Sequence, residues 1–142
     1  MAEIKARQIK TGTADGDLVE LGVGGTLPAV DASLLTNIPY EPTTIYTDAN
    51  NHVLILSNAG NYIRMTNGSS STLTVPTNAS VAFVIGTEID IHRAAGAVTV
   101  VASGGVTVNT AETLILRKTH STATLIKVGA DEWDLVGDLQ FV

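Results

Sequence analysis

Cysteine is absent from this chain, so it has no disulfide framework and no thiolate metal site. Aromatic residues are scarce at 4%, which argues against a sugar-binding groove of stacked rings. Charge is sparse as well: Asp, Glu, Lys and Arg make up 15% of the residues, against about 25% in ordinary soluble domains. What charge there is leans acidic, with a net value of −6 and a pI near 4.8. Binding to a phosphate backbone therefore has no overall electrostatic support, and nucleic acid is not an expected partner. The longest apolar runs, "VLIL" and "AVTVVA", are far too short for a membrane-spanning helix. The opening stretch "MAEIKARQIK" lacks the apolar core of a secretory leader, so synthesis in a cytoplasm, with no membrane partner, is the expectation.

What the chain does have is β-branched and aliphatic residues in short bursts. Over residues 44–142 the pieces "TTIYT", "HVLIL", "YIRM", "STLTV", "SVAFVI", "TEIDIH", "AVTVVA", "VTVN", "TLILRK", "ATLIKVG" and "EWDLV" read as strands. Turn-forming stretches such as "DANN", "NGSS", "RAAG" and "GADE" separate them. Polar Glu88, Asp90 and His92 alternate with Ile89 and Ile91, which places them on opposite faces of one strand. Nothing in the zone sustains a helical period. The reading is an all-β fold: a compact antiparallel β-sandwich or barrel-like knob.

Residues 1–43 differ in kind. Glycines at 12, 16, 22, 24 and 25 and prolines at 28, 39 and 42 interrupt them, so they cannot close a core of their own. Yet "LPAVDASLLTNIP", residues 27–39, is mostly apolar, and linkers are usually more polar than that. This zone reads as an extended N-terminal docking arm. Its candidate partner-binding residues are Leu27, Val30, Leu34, Leu35 and Ile38, with Pro28 and Pro39 holding the entry and exit extended.

Catalytic and metal signatures are missing from the pattern. His52, His92 and His120 stand apart, with no His-x-His spacing, and read as surface residues. Asp15 and Asp17 in "ADGD" lack the further ligands of a calcium loop, so the stretch reads as a turn. No nucleophile elbow, phosphate-binding loop or dinucleotide fingerprint occurs. Glu88 and Asp90 read as one solvent face rather than a glycosidase pair, and Trp133 as a plug at one end of the core. The expectation is a protein that is not an enzyme and uses no cofactor.

The stretch "GGTLPAVDASLLTNIP" resembles a linker common in bacteriophage fibre and spike polypeptides. From "VPTNASVAF" to "EWDLVGDL" the chain resembles a small β-domain found at the ends of such proteins. The two stretches occupy residues 24–39 and 75–139, and the resemblance is to phage tail-fibre and capsid decoration proteins. It implies a homotrimer, with the β-domain as a trimeric knob. With only some forty residues ahead of the knob, a decoration (cement) protein is favoured over a tail fibre. In that reading the arm binds the major capsid protein, and the molecule sits on the head surface of the virion. A tail-fibre or receptor-binding protein is the alternative, with "NGSSS" and "RAAG" as its contact loops. Replacing Leu34 and Leu35 together by Asp is expected to leave the β-domain folded by circular dichroism and to abolish co-sedimentation with phage heads. Undiminished co-sedimentation of the double variant would remove the arm from the interface.

Overall fold

The computed structural model describes residues 42–142; the candidate arm residues Leu27, Pro28, Val30, Leu34, Leu35, Ile38 and Pro39 lie outside them. Nine strands account for nearly all the regular structure: β1 (Ile45–Asp48), β2 (His52–Val53), β3 (Tyr62–Met65), β4 (Ser71–Val75), β5 (Glu88–Arg93), β6 (Val98–Ala102), β7 (Thr107–Asn109), β8 (Thr122–Gly129) and β9 (Glu132–Gly137). One 3₁₀ turn, Leu56–Asn58, is interposed between β2 and β3. No helix among the described residues is long and apolar enough to cross a membrane.

The strands form two sheets, one of six strands in the order β1-β3-β5-β8-β9-β7 and one of three in the order β2-β4-β6. From β1 to β6 the chain alternates between them, so each strand's neighbour in its own sheet lies one full coil away. A strand reached that way runs in the same direction as its predecessor. Four ladders are therefore parallel, β1 with β3, β3 with β5, β2 with β4 and β4 with β6, and β7 with β9 makes a fifth of the seven. Only β5 with β8 and β8 with β9 are antiparallel. The all-β expectation thus holds, but the antiparallel one is corrected. Residue alternation and turn spacing are blind to strand direction; the path between strands decides it.

Two of the expected strands are also corrected. "SVAFVI" bends through local bonds, Val81 N–H to Thr77 O at 3.0 Å and Thr87 N–H to Val84 O at 3.0 Å. Both sides of β5, the strand that follows it, are already taken by β3 and β8. "TLILRK" contributes only isolated bridges, Thr99 with Ile115 and Leu116 with Leu139. It runs beside the C-terminal segment, with Gln140 N–H donating to Ile115 O and Arg117 N–H to Asp138 O.

Alternation puts one face of each sheet into a common core. Ile63, Met65, Ile89, Ile91, Leu125, Trp133 and Leu135 come from the larger sheet; Leu73, Val75, Val98 and Val100 come from the smaller. Phe83 packs edge-on against Trp133, with ring centroids 5.4 Å apart. Burying such side chains removes apolar area worth about 25 cal/mol per Å², an upper figure because the unfolded chain is itself partly compact.

Where successive coils stack, space is tight. A Cβ on Gly96 would fall on the backbone of Ser69 and within 2.8 Å of the Gly68 carbonyl oxygen, while the Gly96 N–H donates to Asn67 O at 2.7 Å. Backbone, not a flexible side chain, occupies the space. Gly96→Ala is accordingly expected to cost roughly 1–3 kcal/mol by overpacking. Denaturant unfolding checks this; unchanged stability would mean that the coils can separate at that point.

Candidate interaction surface

Among the described residues the first coil leaves an edge of each sheet unpaired, because β1 and β2 are terminal strands in their sheets. In the parallel ladder β1 uses Thr44 O and Asp48 O toward β3, where they accept from Tyr62 N–H and Thr66 N–H. By the alternation of such ladders, the backbone groups of Ile45 and Thr47 face away from β3. Ile45 is 64% exposed, and Val53, Ile55 and Leu56 in the same coil are each at least half exposed. An open strand edge beside exposed aliphatic residues is a surface able to take an added strand or an apolar partner.

A polar corner holds this coil in shape. His52 Nδ1 lies 2.9 Å from Asp48 Oδ2, and its Nε2 lies 3.0 Å from Asn58 Oδ1, which also accepts from the Ile55 N–H. Both ring nitrogens lie within hydrogen-bond distance of an oxygen. The hydrogen bond from His52 holds the Asp48 carboxyl below its usual value of 3.8. The sequence reading gave His52 no carboxylate partner. The structure supplies one four residues away, across the turn after β1.

The other histidines are brought together. His92 on β5 stacks on Tyr62 of β3 and on His120, with centroids 5.7 Å apart in each case. In the sequence they stand apart as surface residues; the β5–β8 pairing sets His92 against Thr122 and brings His120, just ahead of β8, onto it. Partial burial, the neighbouring His120 and Arg64 push the His92 imidazole below its ordinary 6.5.

Glu88 and Asp90 do share the outer face of β5, as expected, with Ile89 and Ile91 buried beneath them. Asp90 accepts from Thr124 Oγ1. Trp133 is buried as the plug reading requires, and beside it lies the one buried lysine among the described residues. Lys127 donates to Asn78 Oδ1 at 2.7 Å, and its Nζ sits 5.6 Å from the Trp133 ring centroid. Nothing in the sequence pattern marked Lys127, since its strand reads apolar on both sides of it.

The two loops singled out as possible contact loops also converge. Gly96 of "RAAG" is bonded to Asn67, and Ser71 N–H donates to Ala97 O at 2.8 Å. The turn at 117–120 joins them, with Thr119 Oγ1 donating to Ala95 O and His120 N–H to Arg93 O. These three loops make one end of the described β-body. Comparison with protein-family models, with curated proteins and with solved structures finds no match.

The histidine chemistry has a pH consequence. His92 titrates lower in the folded protein than in the unfolded chain, so the unfolded chain takes up its proton first as pH falls through 6.5. His92 therefore contributes stability above that value and loses it on acidification. His92→Gln is expected to reduce the drop in melting temperature between neutral and mildly acidic buffer. An unchanged drop would assign the acid sensitivity to other groups.

Proposed function

We propose that this chain is a non-catalytic bacteriophage virion structural protein: a homotrimeric capsid decoration protein whose N-terminal arm binds the major capsid protein and steadies the head. The observation that carries the reading is the arm segment "GGTLPAVDASLLTNIP" and its likeness to the linkers of phage fibre and spike chains. The described β-body is compatible with such a role. It is small and low in charge, and its first coil carries two open strand edges with exposed Ile45, Val53, Ile55 and Leu56. Association of copies or docking on a shell would cover such edges. An arm poor in charge also suits the core of a stable interface, where charged residues are depleted.

A second reading, a tail-fibre or receptor-binding protein, draws on one specific observation. The loops at 66–70, 94–97 and 117–120 gather at one end of the β-body, a common place for recognition on a β scaffold.

Immunogold electron microscopy of the parent phage, with antibody against this chain, separates the two. The expected result is label distributed over the head, together with a trimer mass in sedimentation equilibrium of the purified protein. Label confined to the tail tip would replace decoration with adhesion, and a monomer at all concentrations would remove the trimer.

A further inference from the structure

Among residues 42–142 there are five lysines and arginines, and four of them, Arg64, Arg93, Arg117 and Lys118, belong to the loop end of the body. Two are committed. Arg117 pairs with Asp138, and Arg93 donates to the carbonyl oxygens of Ala95, Leu116 and Arg117. Arg64 and Lys118 form no ion pair among the described residues, and both are exposed. Arg64 sits directly beside His92 in the β3–β5 register, on the outer face of the larger sheet.

On the same face, Tyr62, His92 and His120 stand in a row, each 5.7 Å from the next, with planes inclined by 28°. Rings stacked on one another turn their edges rather than their faces to the surroundings, and an imidazole edge offers N–H donors. His92 Nδ1 is engaged by Thr122 Oγ1 at 3.2 Å, while its Nε2 makes no hydrogen bond among the described residues. His120 is held at φ 71°, a left-handed conformation that a residue with a Cβ adopts at a cost and that gathers at ligand sites.

The carboxylates around this row already have partners. Asp48 is bonded by His52, Asp138 by Ser121 and Arg117, and Asp90 by Thr124. Arg64 adjoins His92 in the register, His92 stacks on His120, and no carboxylate bonds to any of the three among the described residues. A cation would be repelled by Arg64, and no group of three metal-ligating side chains is gathered among the described residues. An oxyanion is attracted, and charge-assisted bonds of about 2.8 Å on either side would let a single anion bridge donors set at the ring spacing.

We propose that Arg64, His92 and His120 form a binding site for a tetrahedral oxyanion, phosphate or sulfate, at the loop end of the β-body. The site stands independently of the virion reading. Protonation of His92 and binding of the anion reinforce each other, so affinity rises on acidification. Tyr62, Asp90, Arg93 and Lys118 are the other titratable or charged groups bordering the row. Asp90, the one carboxylate among them, accepts from the Thr124 hydroxyl and keeps its charge, but it forms no hydrogen bond or ion pair with the row.

The test follows the imidazole C–H resonances of the full chain by NMR during titration with sodium phosphate and sodium sulfate. Sodium chloride at matched ionic strength is the control, and His52, already bonded on both nitrogens, is the internal reference. The His92 and His120 signals are expected to move saturably in the millimolar range while the His52 signal stays still. Arg64→Gln should weaken binding roughly tenfold, the loss of a charge-assisted bond. His120→Asn, which tolerates the left-handed backbone, should weaken it comparably. Glycerol phosphate distinguishes two sources of the anion: tighter binding than inorganic phosphate points to a phosphate carried on a polyol, equal binding to the free ion. The proposal is overturned if chloride reproduces the shifts, if His52 moves with the others, or if both folded variants bind as the wild type does.

Discussion

The register between successive coils is the constraint on which the described residues depend. Ile63 lies beside Ile91, and Leu73 beside Val100, because one turn of the coil returns the chain to the same sheet with the same face inward. A slip of one residue in either ladder would send a buried row out to solvent and bring a polar row into the core. The close approach of Gly96 to the Ser69 backbone shows how little slack remains between coils. The antiparallel β8–β9 hairpin then extends the larger sheet beyond β5, bringing Trp133 and Leu135 into the core.

That coiling also explains the two surfaces. A coil has a first turn and nothing in the described residues pairs with it, so β1 and β2 are left as open edges. Its loops stack as its strands do, so "NGSSS" and "RAAG" meet at one end although many residues separate them. Charge follows the same logic. A chain with a net charge of −6 still carries a local concentration of cations where Arg64 and Lys118 share an end with His92 and His120. Net charge governs long-range steering, whereas a small anion responds to the few groups within its reach.

Much of the fold was legible because alternation is a local property. "YIRM" and "STLTV" correspond to β3 and β4 residue for residue, and the buried positions of "STLTV" are the odd ones, Ser71, Leu73 and Val75. "SVAFVI" and "TLILRK" have the composition of strands but not the neighbours: a strand needs a free edge to pair with, and composition does not show which edges are taken. The His52–Asp48 contact spans a turn and the His92–His120 contact spans a strand pairing, so neither leaves a mark at fixed spacing. Lys127 carries no sequence signal for a related reason, since its partners Asn78 and Trp133 come from different parts of the chain.

Composition and alternation by themselves determined that the chain is all-β from about residue 44 onward, with Ile89 and Ile91 inside and Glu88 and Asp90 outside. Period-two burial is written residue by residue and survives any arrangement of the strands. Tertiary structure alone decided that most ladders are parallel, that β1 and β2 end their sheets among the described residues, and that Arg64, His92 and His120 share one face. Those outcomes depend on the path of the chain between strands. That path reflects the packing of the whole core, which no short stretch of sequence contains.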